Sequence, residues 1–234
     1  MTVDKLDAAL HAVNWTGDVE TFLNEIASKE KLAAYNLRLA IWSKQFEQVD
    51  RGNAALTFVR EMQSAGQMIV ALTALALYKP AAGSIRTVIE TALYYTYFRT
   101  HHTELATLLR DEEYFIDKND IIEFHKRHGV NFKILQEKVG LLNRLKTSYS
   151  SLSAIIHGQI PGVWTTLTSL SKTAPNHKTL EKVVRSFAEG EEVVHRLFLC
   201  TVAQSFWDDF SPDAKKALHK GLPGDTKALL TLDE

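Results

Sequence analysis

Two short stretches of this sequence hold side chains whose types and spacing suit work on an anion or a proton. In Ser84-Ile85-Arg86-Thr87-Val88-Ile89-Glu90, Arg86 and Glu90 stand four residues apart, one turn up the same face of a helix. Ile85, Val88, Ile89 and Leu93 around them are apolar, so the pair is expected to be partly buried. A buried ion pair is costly and weak evidence of stability. Two readings follow: an ordinary intrahelical salt bridge, or a charged pair retained for a task. In Tyr149-Ser150-Ser151-Leu152-Ser153-Ala154-Ile155-Ile156-His157-Gly158, the residues Tyr149, Ser153 and His157 fall at i, i+4 and i+8. They drift by only about 80° around a helix and can line one side of a cleft. His157 could act as a general base or, protonated, as an anion-binding imidazolium. A His in the last turn before a Gly is equally a common helix ending. Arg86, Glu90, Tyr149, Ser153 and His157 form the candidate pocket, with no catalytic role assigned to any of them.

Other chemistry is thinly represented. A di-iron bundle needs two Glu-x-x-His motifs and two further carboxylates; only His195 has a Glu three residues before it, Glu192. His125 with His128, and His101 with His102, lack companion ligands. No metal and no cofactor is expected. The single cysteine, Cys200, lies in the apolar run Leu197-Phe198-Leu199-Cys200 and reads as a buried thiol. It allows no intrachain disulfide, which fits a reducing compartment. No phosphate-binding loop, His-Glu-x-x-His, Gly-x-Ser-x-Gly or Gly-x-Gly-x-x-Gly is present. This counts against nucleotide-driven motors, zincins, common serine hydrolases and Rossmann enzymes.

These residues must be positioned by helices. The 234 residues include only five prolines and eleven glycines, and 45% are apolar, a pattern of long helices around a sizeable core. The expected fold is an all-α, single-domain helical bundle over 1–234: N-terminal helices in 1–50, a core in 53–158, a closing helix in 178–210 and short helices in 212–234. In detail, a first helix is expected over 3–13, and a second capped by Asp18 over 19–49, broken near Ser28-Lys29-Glu30. Along the second, Phe22, Ile26, Leu32, Leu37, Ile41 and Trp42 follow helical spacing. A third runs from Asn53 to Tyr78, stopped by Pro80; its apolar end Ile69-Val70-Ala71-Leu72 marks it as the central helix. Further helices are expected over 82–99, 103–110, 120–128, 132–139 and 141–157. The stretch 161–176 reads as loop, with Val163–Thr168 the one strand candidate, and 178–210 as one long helix.

Lys+Arg number 27 and Asp+Glu 28, for a net charge of −1. This balance argues mildly against a dedicated nucleic-acid binder, while allowing a local basic groove. The N-terminus reaches Asp7 without an apolar stretch, so no signal peptide is expected. The most apolar segment, 68–78, is about half the roughly 20 residues of a membrane span. A cytoplasmic protein without membrane contact is the expectation.

An Arg-x-x-x-Glu in an apolar helix, followed some sixty residues on by Tyr-x-x-Leu-Ser-x-x-x-His-Gly, resembles the bacterial DUF5677-type helical proteins, which are in turn similar to the broader HEPN-like group. Arg86, Glu90, Tyr149, Leu152, Ser153, His157 and Gly158 carry the resemblance, over about Asn53 to Gly158. It implies a bundle in which the Arg–Glu helix faces the Tyr–Ser–His helix, and a bacterial antiviral-defence or toxin–antitoxin setting. Many HEPN proteins are metal-independent ribonucleases that use an Arg, four to six residues and then a His. None of the ten arginines here has a histidine at that spacing. The leading expectation is therefore a non-catalytic or regulatory module acting through a protein partner or as a homodimer. Tyr94, Tyr95, Tyr97 and Phe98 are candidate interface anchors, although core positions would suit them equally. The alternative is a ribonuclease or nucleotide-handling effector in which Arg86 holds a phosphate, Glu90 orients it and Tyr149, Ser153 and His157 complete the site, with RNA or a nucleotide as ligand.

Overall fold

The structure, a computed structural model, describes residues 2–164 and 169–230. The described residues are helical with no strand, as the all-α reading requires. In chain order the helices are α1 (Val3–His11), α2 (Trp15–Asn24), α3 (Ile26–Val49), α4 (Leu56–Ala74), α5 (Tyr78–Phe98), α6 (His102–Leu108), α7 (Lys118–His128), α8 (Phe132–Val139), α9 (Leu141–Ile156), α10 (His177–Cys200), α11 (Ala203–Phe206), α12 (Pro212–His219) and α13 (Gly224–Leu230). Short 3-10 turns at Leu170–Lys172 and Trp207–Asp209 complete the set. The strand candidate Val163–Thr168 lies outside the described residues from 165 on.

The central helix is α5, not the one before it. Thirteen of the 21 residues of α5 are buried, against seven of the 19 in α4, whose buried Leu56, Val59, Met62, Ala65, Gly66, Ile69 and Thr73 form a single stripe. α4, α9 and α10 surround α5, and α3 packs across α4 and α10. The buried stripe of α3 is Leu32, Leu39, Trp42 and Phe46, while Ile26 and Leu37 face solvent. Trp42, Phe46, Tyr95, Phe198 and Phe210 interlock as an aromatic cluster where α3, α5 and α10 meet. Cys200 is sealed at the end of α10, and burial pushes its thiol up to about 12.

Several boundaries differ from the sequence reading. The break after α2 falls at Glu25, whose ψ of 66° is not helical, and α2 begins at Trp15, with the Asn14 side chain accepting from Gly17 N at 3.1 Å. Asp18 is thus inside a helix rather than capping one. The turn between α4 and α5 is Leu75-Ala76-Leu77, with Ala76 at φ 56°. Pro80 sits in the first turn of α5, where a missing N–H goes unnoticed. The predicted helix over 178–210 ends at Cys200, because Thr201 leaves the helical region at φ −129°, ψ −91°. The chain then folds back, which lets Trp207 and Phe210 bury against the core.

α5 and α10 approach most closely at Gly190, where a Cβ would lie 2.8 Å from Ile85 Cγ2 and 3.6 Å from Ile89 Cδ1. This contact fixes the depth at which α10 seats on the helix that carries Arg86. Gly83, also in α5, has open space where its Cβ would be. Chemical denaturation should therefore separate the two glycines. Gly190→Val is expected to cost about 1–3 kcal/mol through overpacking, and Gly83→Ala to add up to about 1 kcal/mol from helix propensity. A fully stable Gly190→Val protein would mean that the close approach is not a constraint.

Candidate functional site

The five sequence-predicted residues converge. Arg86 and Glu90 lie on the stripe of α5 that faces α9, and the spacing along α9 brings Tyr149, Ser153 and His157 to the same face. Arg86 Nε donates to Glu90 Oε1 at 2.8 Å, and Arg86 Nη2 donates to the Tyr149 hydroxyl. That hydroxyl in turn donates to Glu90 Oε1 at 2.7 Å. The three groups close a ring of hydrogen bonds between the two helices, with the guanidinium 4.5 Å from the centre of the Tyr149 ring. The Arg86 and Glu90 side chains keep 24% and 32% of their exposure, so the pair is partly buried, as expected.

Electrostatics fix the direction of this ring. Burial, followed by the hydrogen bond and charge of Glu90, pushes the Tyr149 phenol up to about 12. It therefore stays protonated at neutral pH and has a proton to give to Glu90. Burial disfavours the Arg86 charge most, but the bond and charge of Glu90 together with Tyr149 outweigh it and leave the guanidinium pKa above its usual value.

The remaining edge of the guanidinium is held only loosely. Nη1 faces Ser153 Oγ at 3.4 Å and the His157 Nε2 at 3.5 Å, both beyond the roughly 2.7–3.2 Å of a good N–H bond. His157 is exposed. It closes α9 through a Schellman ending: Gly158 at φ 65°, Gly158 N donating to Ile155 O at 3.2 Å and Gln159 N to Ala154 O at 3.0 Å. The helix-ending reading of His157-Gly158 and the site reading hold together, because the ending is what turns the imidazole toward Arg86.

Two cations were missed from sequence. Lys79, seven residues before Arg86 and thus two turns along the same face, brings its ammonium to 3.5 Å from where a Cβ would stand on Gly158. Its spacing was the available signal. Lys118, at the start of α7, places its ammonium 4.6 Å from the Tyr149 ring centre; nothing local to either segment connects it to α9. Tyr149 and Lys118 also line a groove of about 350 Å³ between α7 and α9, together with Lys126 and Lys146. Arg86, Ser153 and His157 do not line it, so the cluster forms an open shelf bordering a lysine-lined groove. A second groove of about 350 Å³ on the far side of α9 contains none of the five residues, and its Arg144 is tied to Glu189 at 2.8 Å.

The other histidines and acids serve the core. Glu192 accepts from Arg38 and Arg196, each at 2.7 Å, so it is not half of a metal site with His195. Burial works against ionising Glu192, but the Arg196 bond and the Arg38 charge outweigh it and bring it down to about 2. His195 Nδ1 accepts from Trp42 Nε1 at 3.1 Å, deep in the bundle. His101 stacks on Tyr97 at 3.9 Å. His125 Nε2 donates to Thr96 Oγ1 at 2.9 Å, the Thr96 proton being spent on Leu93 O. Among the described residues, no group of three or more His, Cys, Asp or Glu side chains is arranged to hold a metal ion. No helix there is long and apolar enough to cross a membrane.

Comparisons of the chain with family models, curated proteins and solved structures return no match.

Burial drives His125 down to about 4, with the charges of His101 and Arg99 adding to the effect. An unfolded histidine takes up its proton near pH 6.5, so the unfolded state binds the extra proton first as pH falls. Stability should accordingly drop between about pH 6.5 and about pH 4 and level off below. The His125 share is on the order of 3 kcal/mol at most. His125→Gln keeps the donor to Thr96, and its unfolding free energy should fall less steeply through that window than the wild type's. Parallel pH profiles would remove His125 from the acid response.

Proposed function

We propose that the Arg86 shelf and the adjoining lysine groove bind the phosphate backbone of a nucleic acid, RNA in the setting that the HEPN-like resemblance suggests. The observation that carries this reading is the loosely held edge of Arg86. A guanidinium already held by Glu90 and Tyr149 leaves Nη1 with only long contacts to Ser153 and His157, and the Lys79 ammonium lies against Gly158, the residue after His157. A guanidinium fixed on two sides and loosely held on the third loses little freedom when it exchanges those long contacts for an anion. Lys118 and Lys146 extend positive charge away from the shelf along one groove, where Lys126 is paired with Glu123 at 2.7 Å; a strand of phosphates follows such a line of lysines. The net charge of −1 makes such binding local rather than spread over the surface.

Openness favours binding over catalysis. A site that accelerates phosphoryl transfer gains from excluding water, and here His157 stands on an exposed shelf. The regulatory reading, in which a protein partner or a second copy docks, loses its aromatic anchors: Tyr95 and Phe98 are fully buried, Tyr97 is nearly so, and Tyr94 packs on Phe58. What supports it instead is Leu109 and Phe115, exposed on the connection between α6 and α7.

Fluorescence anisotropy with a labelled single-stranded RNA, read across a salt series, tests the proposal. Wild type should bind with a clear salt slope. Arg86→Gln should weaken binding about tenfold and reduce the slope by about 0.7, the share of one phosphate contact on a single strand. Loss of Lys118, Lys126 and Lys146 together should remove most of the remaining slope. Folded variants that bind like wild type, or a wild type that does not bind, would reject it. Cleavage of the same RNA is a separate readout: cleavage lost in His157→Gln with affinity retained would make the shelf catalytic.

A further inference from the structure

A second cleft, of about 180 Å³, opens where α2, the end of α4 and the starts of α5 and α10 meet. It is separate from the Arg86 shelf and its groove, and its chemistry has the opposite sign. Asp18 lines it from α2 with only 5% of its surface exposed, and its Oδ2 has no hydrogen-bond partner among the described residues. A buried carboxylate oxygen left without a donor costs about 1–3 kcal/mol or more, so a donor brought into the cleft would be favoured at Asp18. Glu25, where the chain breaks between α2 and α3, adds a second carboxylate, which meets His177 Nδ1 at 3.1 Å.

Two hydroxyls on the wall have already spent their protons. Thr73 Oγ1 donates to Ile69 O at 2.6 Å, and Thr21 Oγ1 to Gly17 O at 2.8 Å, so both present lone pairs. The Tyr78 phenol accepts from Asn176 N at 3.0 Å. No lysine or arginine lines the cleft, and Phe22 and Leu180 give it an apolar side. Its volume equals that of about six waters, room for a short carbon chain with a polar head. A bare inorganic cation would use the oxygens and leave Phe22 and Leu180 without a partner. An organic cation uses both walls.

We infer that this cleft binds the ammonium group of a primary alkylamine, with Asp18 as its counter-charge and the carbon chain against Phe22 and Leu180. The ammonium has three donors for the Asp18 carboxylate and the threonine oxygens. The same chemistry is presented by a free alkylamine and by the lysine side chain of another polypeptide.

The test is a titration of the full chain with n-butylamine hydrochloride, followed by amide shifts in two-dimensional NMR. Nα-acetyl-lysine methylamide serves as the lysyl probe and n-butanol as the uncharged control. Butylammonium should bind saturably in the millimolar range, shift the amides around Asp18, and bind at least about tenfold more weakly to Asp18→Asn. Butanol should give no saturable shift. Tight binding of the lysyl probe would assign the cleft to a partner's lysine; binding of butylamine alone would assign it to a free amine. Glu25→Gln, at the rim, is the second variant and should weaken binding severalfold. No saturable butylammonium binding, or equal binding by folded Asp18→Asn and Glu25→Gln, overturns the inference.

Discussion

The enclosure of α5 sets the terms for the rest of the molecule. A helix covered by α4, α9 and α10 must be apolar or internally paired wherever it is covered, since an unpaired buried polar group costs more than its bond returns. Its C-terminal half meets this with Leu93, Tyr95 and Phe98. Its N-terminal half meets it with Arg86 and Glu90, which are covered only partly and satisfy one another through Tyr149 of the neighbouring helix. The ring of hydrogen bonds thus also sets the register of α9 against α5.

Two Arg–Glu arrangements in the same bundle show how burial divides scaffold from site. Arg38 grips Glu191 with two nitrogens and reaches Glu192, which is also held by Arg196. Burial is the largest influence on Glu191 and raises its carboxyl to about 7 despite Arg38. That network is closed, with its carboxylates satisfied inside the packing of α3 on α10. The Arg86 arrangement uses the same residue types with a carboxylate that keeps part of its exposure, and its third nitrogen makes only long contacts, to Ser153 and His157. The chemistry is alike in both. The two arginines are about equally exposed, at 26% and 24%; what differs is the carboxylate, wholly buried in Glu191 and 32% exposed in Glu90.

How much of this could be read from the chain depends on whether the cause is local. That the two faces of the shelf meet was implied only by the DUF5677-type resemblance, but each half was legible because i, i+4 and i+8 spacing places side chains on a face whatever the helix packs against. Helix type was legible for the same reason. The turn at Ala76 was not, because proline is the stronger local signal and Pro80 pulls a boundary toward itself although its place in a first turn is harmless. The stop at Thr201 has neither Gly nor Pro behind it; it follows from the burial of Trp207 and Phe210 against α3, a tertiary cause. The ranking of α4 above α5 as the central helix failed similarly. Hydropathy ranks segments, whereas the number of neighbours decides burial, and the tyrosines and threonines of α5 hide their polarity in bonds such as Tyr95 to Asp50 and Thr91 to Thr87. Lys118 and Asp18 acquire their meaning only from elements distant in sequence.

The sealed position of Cys200 gives the protein an internal gauge. The sulfur is the only one of its kind in the chain, is 2% exposed, and borders the cleft where α5 and α7 meet the end of α10. An alkylating reagent can therefore reach it only during those moments when α10 lifts away from its neighbours. When reclosing outpaces the reagent, the rate of labelling reports how often the end of α10 opens, as a free energy local to that seam. The fold thus contains its own clock for the motion that would expose its core, and no second thiol adds to the reading.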